Sequence, residues 1–247
     1  MITIKSDYEL SLMKRASKIV YEAHQYIKPF IKPGITTKEL NDLVHDYIVN
    51  NDATPSCLGY NGYPASICIS VNEEVVHGIP SKRKLKNGDI VTLDICVCYK
   101  GYHGDSAWTY AVGDISKEKT YLLEHTEKAL YVGLSKVKNG VKLGDVSSAI
   151  EEYATSHKLG VVRELVGHGI GSDLHEEPSV PNYGKPGRGP RLTKGMTIAV
   201  EPMVNVGTYD VDILKNGWTV VTSDGKLSAH YENTILITDG EPEIFTQ

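Results

Sequence analysis

Asp94, Asp105, His168, Glu201 and Glu232 are of the residue types that bind divalent metals, and their settings point to that chemistry. Asp94 interrupts the run Ile90-Val91-Thr92-Leu93-Asp94-Ile95-Cys96-Val97. Glu201 interrupts Thr197-Ile198-Ala199-Val200-Glu201-Pro202-Met203-Val204, and Glu232 stands between Tyr231 and Asn233-Thr234-Ile235-Leu236-Ile237. A carboxylate in an apolar strand is driven toward its neutral form unless a cation or a hydrogen-bond donor compensates it. One such acid is commonly structural. Three of them, with Asp105 added, would repel one another without a cation.

His168 lies in Gly167-His168-Gly169-Ile170-Gly171, which reads as a glycine loop able to bring its backbone close to a site. His175-Glu176-Glu177-Pro178 is not a zincin helix, because the second histidine is missing and Pro178 would break the helix. Four carboxylates and one imidazole form an oxygen-rich set that favours Mn, Fe(II) or Co, with Zn also admitted. Two ions about 3.5–4 Å apart, bridged by carboxylates, can hold a hydroxide nucleophile and polarise a carbonyl.

Several elements must position these groups. Ser6-x-x-Glu9 and Thr36-x-x-Glu39 are capping boxes opening two amphipathic helices. Residues 117–138 read as a third helix, and Leu143, Val146, Ile150 and Tyr153 mark a fourth, ended by Gly160. Strand-like runs cover 66–71, 89–99, 102–112, 161–166, 196–206, 218–222 and 230–238. A tight turn at Lys100-Gly101 would set Asp105 opposite Cys96. Asp94 shares the Cys96 face, so the two acids become diagonal neighbours, roughly 7–8 Å apart at Cα.

The elements repeat. Lys32-Pro33-Gly34-Ile35 matches Lys138-Asn139-Gly140-Val141, each before the second helix of a pair. Leu85-Lys86-Asn87-Gly88 stands six residues before Asp94, and Leu192-Thr193-Lys194-Gly195 six residues before Glu201. His77-x-x-Pro80-Ser81 echoes His175-x-x-Pro178-Ser179. A single α+β domain over 1–247 is therefore expected, with internal halves of about 1–115 and 116–247 facing a shared cleft.

Composition narrows the class. Charged content of 23%, hydrophobic content of 40% and a net charge of -5 suit a soluble globular protein with no specific nucleic-acid partner. No apolar run approaches the roughly 20 residues that span a bilayer, and the polar start gives no signal peptide. Cys57, Cys68, Cys96 and Cys98 lack zinc-ribbon or redox spacing and suit reduced packing thiols in the cytoplasm. The glycines of 181–190 fit neither a P-loop nor a dinucleotide fingerprint.

Over nearly its full length the sequence resembles the type I methionine aminopeptidases of the short bacterial kind. The resemblance rests on Ser56 through Pro64 (SCLGYNGYP), Ser70-Val71-Asn72-Glu73 through His77-Gly78-Ile79-Pro80, and the Gly167–Gly171 run. Ala199-Val200-Glu201-Pro202 and Ser228-Ala229-His230-Tyr231-Glu232 complete it. It implies the pita-bread fold, two pseudo-twofold-related α+β halves around a metal cleft. It further implies removal of the initiator methionine from nascent chains when the second residue is small, a metal-held hydroxide attacking the scissile carbonyl.

By the same resemblance Asp94 would chelate one metal, Asp105 and Glu232 would bridge both, and His168 and Glu201 would bind the other, with Glu201 also the general base. His77 and His175 would contact the peptide and stabilise the tetrahedral intermediate. Cys57, Tyr60, Tyr63 and Trp218 resemble the pocket for the methionine side chain, whose thioether suits aromatic walls. Two divalent ions, nascent polypeptide N-termini, the ribosome as a possible partner, a cytoplasmic site and a monomer complete the expectation.

Three positions depart from the usual pattern. Leu174 stands where many relatives carry Phe, His230 where Gln is usual, and Asn233 where His is usual. His230 is expected to lower activity in acid by charging near the metals. The rival readings are a proline-specific peptidase of the same fold, a non-enzymatic binding relative, and, more remotely, a phosphoesterase with two metals. The first would carry a further N-terminal domain and lack the Cys57–Tyr63 pocket, and the second would lose ligands. The third is opposed by the absence of a phosphate cradle.

Overall fold

The computed structural model describes residues 2–247. The first half runs α1 (Asp7–Ile27), α2 (Thr37–Val49), β1 (Thr54–Pro55), β2 (Cys68–Val71), β3 (Glu74–Val76), β4 (Ile90–Tyr99) and β5 (Tyr102–Ala111). The second begins with α3 (Lys117–Leu134), α4 (Leu143–Ser156), β6 (Gly160–Val161), β7 (Gly167–Gly169) and β8 (Glu176–Val180). It continues through β9 (Thr197–Val200), β10 (Met203–Asn205), β11 (Val211–Ile213), β12 (Val220–Thr222), β13 (Ser228–His230), β14 (Asn233–Leu236) and β15 (Glu243–Ile244).

Both capping boxes form: the Ser6 and Thr36 side chains accept from the Glu9 and Glu39 amides, and each glutamate reaches back to the cap amide. Lys100 and Gly101 take positive φ of 49° and 83°, which the tight turn between β4 and β5 requires. The ladder then pairs Cys96 with Asp105 and Asp94 with Ala107, the register expected from the sequence.

The halves repeat one scaffold. The Gly34 amide donates to the Leu85 carbonyl and the Leu85 amide to Ile35, both at 2.8 Å. Gly140, Leu192 and Val141 repeat the pair at 2.8 Å. Each half wraps its own apolar core around its helix pair. Ile19, Ile27, Leu40 and Val44 pack against Val91, Leu93 and Ile95. Leu130, Val146 and Ile150 pack against Ile198, Val200 and Ile235. The sheets order as β1-β4-β2 with β5 on β4, β13-β10-β6, β11-β12-β3, and β15-β14-β9-β7-β8. Among the described residues no helix is long and apolar enough to cross a membrane.

Several elements differ from the sequence reading, mostly in the second half. The third helix stops at Leu134, because residues 135–140 turn toward Gly140 at φ 90°. The run 161–166 forms a strand only at Gly160–Val161. The runs 196–206 and 230–238 each split in two, at Glu201-Pro202 and at Tyr231-Glu232. Proline has no amide for a ladder, so the first break is dictated by Pro202. The expected glycine loop around His168 is strand β7, paired with β8 and β9.

Candidate metal centre

Asp94 and Asp105 project from the same face of the β4–β5 ladder, with Cys96 between them donating to Asp105 Oδ1 at 2.9 Å. The second half is stitched to this ladder through β5. Thr109 Oγ1 donates to the His230 carbonyl and Ser106 Oγ to the Glu232 carbonyl, at 2.9 and 2.7 Å. The Glu232 amide donates to the Ala107 carbonyl, and Thr234 Oγ1 to that of Asp105, both at 2.8 Å. These bonds fix Glu232 and His230 over the acid face.

His168 arrives on β7, wedged between two strands. A Cβ at Gly169 would run into the Glu177 carbonyl, and one at Gly167 into the Ala199 carbonyl, so glycine permits the close pairing of β7. The Gly169 carbonyl lies 2.8 Å from His168 Nδ1 and takes its proton, leaving Nε2 with a free lone pair. That Nε2 is 3.5 Å from Glu201 Oε1 and 3.7 Å from Asp105 Oδ2. Glu201 hangs in the gap between β9 and β10, its carbonyl held by Asn182 Nδ2 at 3.0 Å.

Three groups have donor atoms within 4.8 Å of one another: Asp94–Cys96–Asp105, Asp105–His168–Glu232 and Glu201–His230–Glu232. Burial, then Asp105, pushes the Asp94 carboxyl well above its ordinary range. Burial likewise raises Asp105, Glu201 and Glu232, each also facing other negative groups. Burial pushes His168 down to about 3, so its imidazole stays neutral and available as a ligand. Among the described residues, Glu232 Oε1 and both ring nitrogens of His230 are buried without a partner. Crowded carboxylates and orphaned donors are costly alone and fit divalent cations bound by oxygen and imidazole.

A cavity of about 400 Å³ opens on this cluster, and every site residue named from the sequence lines it. Tyr63 is buried, donates to the Gly78 carbonyl at 2.8 Å, and meets Trp218 edge-on with ring centroids 5.1 Å apart. Cys57 Sγ donates to Cys96 Sγ at 3.3 Å. Leu174 forms part of the wall. Tyr60 is exposed, and its hydroxyl lies 2.7 Å from His175 Nδ1. His77 takes φ of 58°, a conformation rare outside glycine, in the turn after β3.

Sequence reasoning missed Leu165, Val166 and Met203 as walls of the cavity. Only the periodicity of a longer strand could have signalled them, and that strand is broken. Asn233 does not line the cavity; its Oδ1 accepts from Thr246 Oγ1 at 2.8 Å. The expected charging of His230 in acid is not supported, because burial holds its imidazole down to about 3.

The sequence matches metallopeptidase family M24 over residues 11–239. The chain belongs to this family. It is 52% identical to methionine aminopeptidase 1 of Bacillus subtilis, over all of both chains. It is also 52% identical to the methionine aminopeptidase of Clostridium acetobutylicum, over all of this chain and 99% of that one. The crystal structure of methionine aminopeptidase from Rickettsia prowazekii superposes with a TM-score of 0.99 at 44% identity, covering both chains completely. Its pita-bread architecture is therefore the fold of this chain.

Proposed function

We propose that the chain is a methionine aminopeptidase that removes the initiator methionine from nascent polypeptides whose second residue is small. One observation carries this reading beyond the family: the carboxylates of Asp94, Asp105, Glu201 and Glu232, the second and fourth of them buried, converge with His168 in the same cavity as the Cys57, Tyr63 and Trp218 wall. A thioether side chain suits that wall, and its peptide bond would then lie over the acids.

Asp94, Asp105, His168, Glu201 and Glu232 would hold two divalent ions, with Mn, Fe(II) or Co favoured by the donor set and Zn also compatible. Such ions would supply Lewis acidity and lower the pKa of bound water. Glu201, whose carboxylate lines the cavity beside the cluster, would accept the proton of the attacking water. Tyr60 holds Nδ1 of His175, leaving Nε2 to donate to the developing oxyanion when the ring carries that proton. His77 lines the same cavity and would orient the peptide. The chain would act as a monomer in the cytosol on N-termini emerging from the ribosome.

Metal-stripped protein, resupplied separately with Mn, Fe(II), Co and Zn, should release methionine from Met-Ala-Ser and leave Ala-Pro-Ala intact. Cleavage of Ala-Pro-Ala instead would move the chain to a proline-specific activity. No cleavage with any metal would leave a binding protein.

A further inference from the structure

His230 is 1% exposed, and neither of its ring nitrogens has a hydrogen-bond partner. An unsatisfied buried polar group is costly, so a ring placed this way calls for a ligand. Its surroundings define which. Nε2 lies 3.7 Å from Glu201 Oε2 and 3.9 Å from Glu232 Oε2. Both distances are too long for hydrogen bonds. Both resemble the separations of His168 Nε2 from its carboxylates, 3.5 and 3.7 Å. Glu201 therefore stands between two imidazoles, Oε1 facing His168 and Oε2 facing His230.

The backbone fixes this placement. The Thr109 hydroxyl bridges both the amide and the carbonyl of His230 at 2.9 Å, which fixes the backbone that carries the ring. Pairing of Met203 with His230 holds the other side. The donors Glu201, His230 and Glu232 lie within 4.8 Å of one another, as do Asp105, His168 and Glu232. Glu232 is common to both groups.

We infer that His230 is a second imidazole ligand of the metal centre, binding a divalent ion through Nε2 together with Glu201 and Glu232. With Nε2 engaged, the ring keeps its proton on Nδ1. The inference rests on the proposal that the cluster holds divalent ions. A second nitrogen donor shifts the site toward metals that favour imidazole, Co, Fe and Zn, over the oxygen-preferring Mn.

The test is proton NMR of the Co(II)-loaded protein, with calorimetric titration of the metal-stripped protein by Co(II). A ligating imidazole gives its own paramagnetically shifted ring N–H resonance. Two such resonances are expected in the parent, one lost in His168→Gln and the other in His230→Gln. Co(II) affinity at one site should also fall about 10-fold or more in His230→Gln, the scale on which supporting partners of a metal act. A single resonance in the parent, or no change in resonances and affinity in His230→Gln, overturns the inference and leaves the five-ligand centre standing. No Co(II) binding by the parent overturns both. Should His230→Gln fail to fold, the number of resonances in the parent decides alone.

Discussion

In the first half of the molecule Asp94 and Asp105 sit inside two unbroken strands of 10 residues each, whereas Glu201 and Glu232 of the second half sit at gaps between strands of 3 or 4 residues. Both halves start from the same scaffold, with matching Gly34–Leu85 and Gly140–Leu192 bonds. The unbroken ladder sets two acids on one face through its period of two, at fixed register. The gaps release Glu201 and Glu232 from any ladder face, so both can turn toward the first half. One half thus offers a rigid platform, and the other closes over it with groups aimed individually.

That contrast can be broken at its platform. Asp105→Ala should lose divalent metal and activity together, with kcat/KM falling about 1,000-fold or more, because several kcal/mol of metal-derived stabilisation disappear. The fold should survive, since the change also relieves repulsion among buried carboxylates. Metal analysis, turnover and thermal melting on the same preparation check it. Retained turnover at normal metal affinity would remove Asp105 from the bridging role.

The helices that back the two halves differ in their response to acid. α1 buries His24 under the ladder, its ring nitrogens 2.9 Å from the Tyr110 hydroxyl and 3.0 Å from the Ser106 carbonyl. In α3, buried Thr126 instead donates back to the Leu122 carbonyl at 2.7 Å and carries no charge at any pH. Burial pushes His24 down to about 4 from an ordinary 6.5. A histidine lowered on folding contributes stability that is complete above its unfolded pKa and is lost as pH falls through the folded one. Between pH 6.5 and 4 the loss should reach roughly 3 kcal/mol. Denaturant melts of metal-stripped parent and His24→Asn at several pH values read this directly: the parent should lose more stability in that window. Parallel curves would place the acid sensitivity elsewhere.

A smaller effect is expected at the second half's tightest packing. Gly169→Ala would drive a methyl into the Glu177 carbonyl, backbone rather than a flexible side chain, and should cost about 1–3 kcal/mol. Because β7 carries His168, metal affinity should fall with stability. An unchanged melting temperature would mean that β7 and β8 separate at little cost.

The same contrast governs what the sequence revealed. The β4–β5 hairpin was legible to the residue, because alternation and a Lys-Gly turn specify register locally. The capping boxes at Ser6 and Thr36 were equally plain. The metal-ligand candidates could be named from their types and settings, since charges in apolar runs stand out, whereas Cys57, Tyr60, Tyr63 and Trp218 were placed at the cleft only by the family resemblance. Strand β7 looks like a loop in the sequence, because its glycines serve neighbouring backbones that no local pattern displays. The break at Glu232 is hidden for a related reason: apolar residues continue beyond it, and packing between the halves interrupts the ladder. At Glu201 the following proline, Pro202, already marks the break.

The central claim is that both halves bind the same ions. Anomalous diffraction at the manganese edge, from crystals of metal-stripped protein reloaded with Mn(II), tests it most directly. The account predicts density in the cleft, bonded both to Asp94 or Asp105 and to His168, Glu201 or Glu232. Density held by one half alone, or none in the cleft, would contradict it.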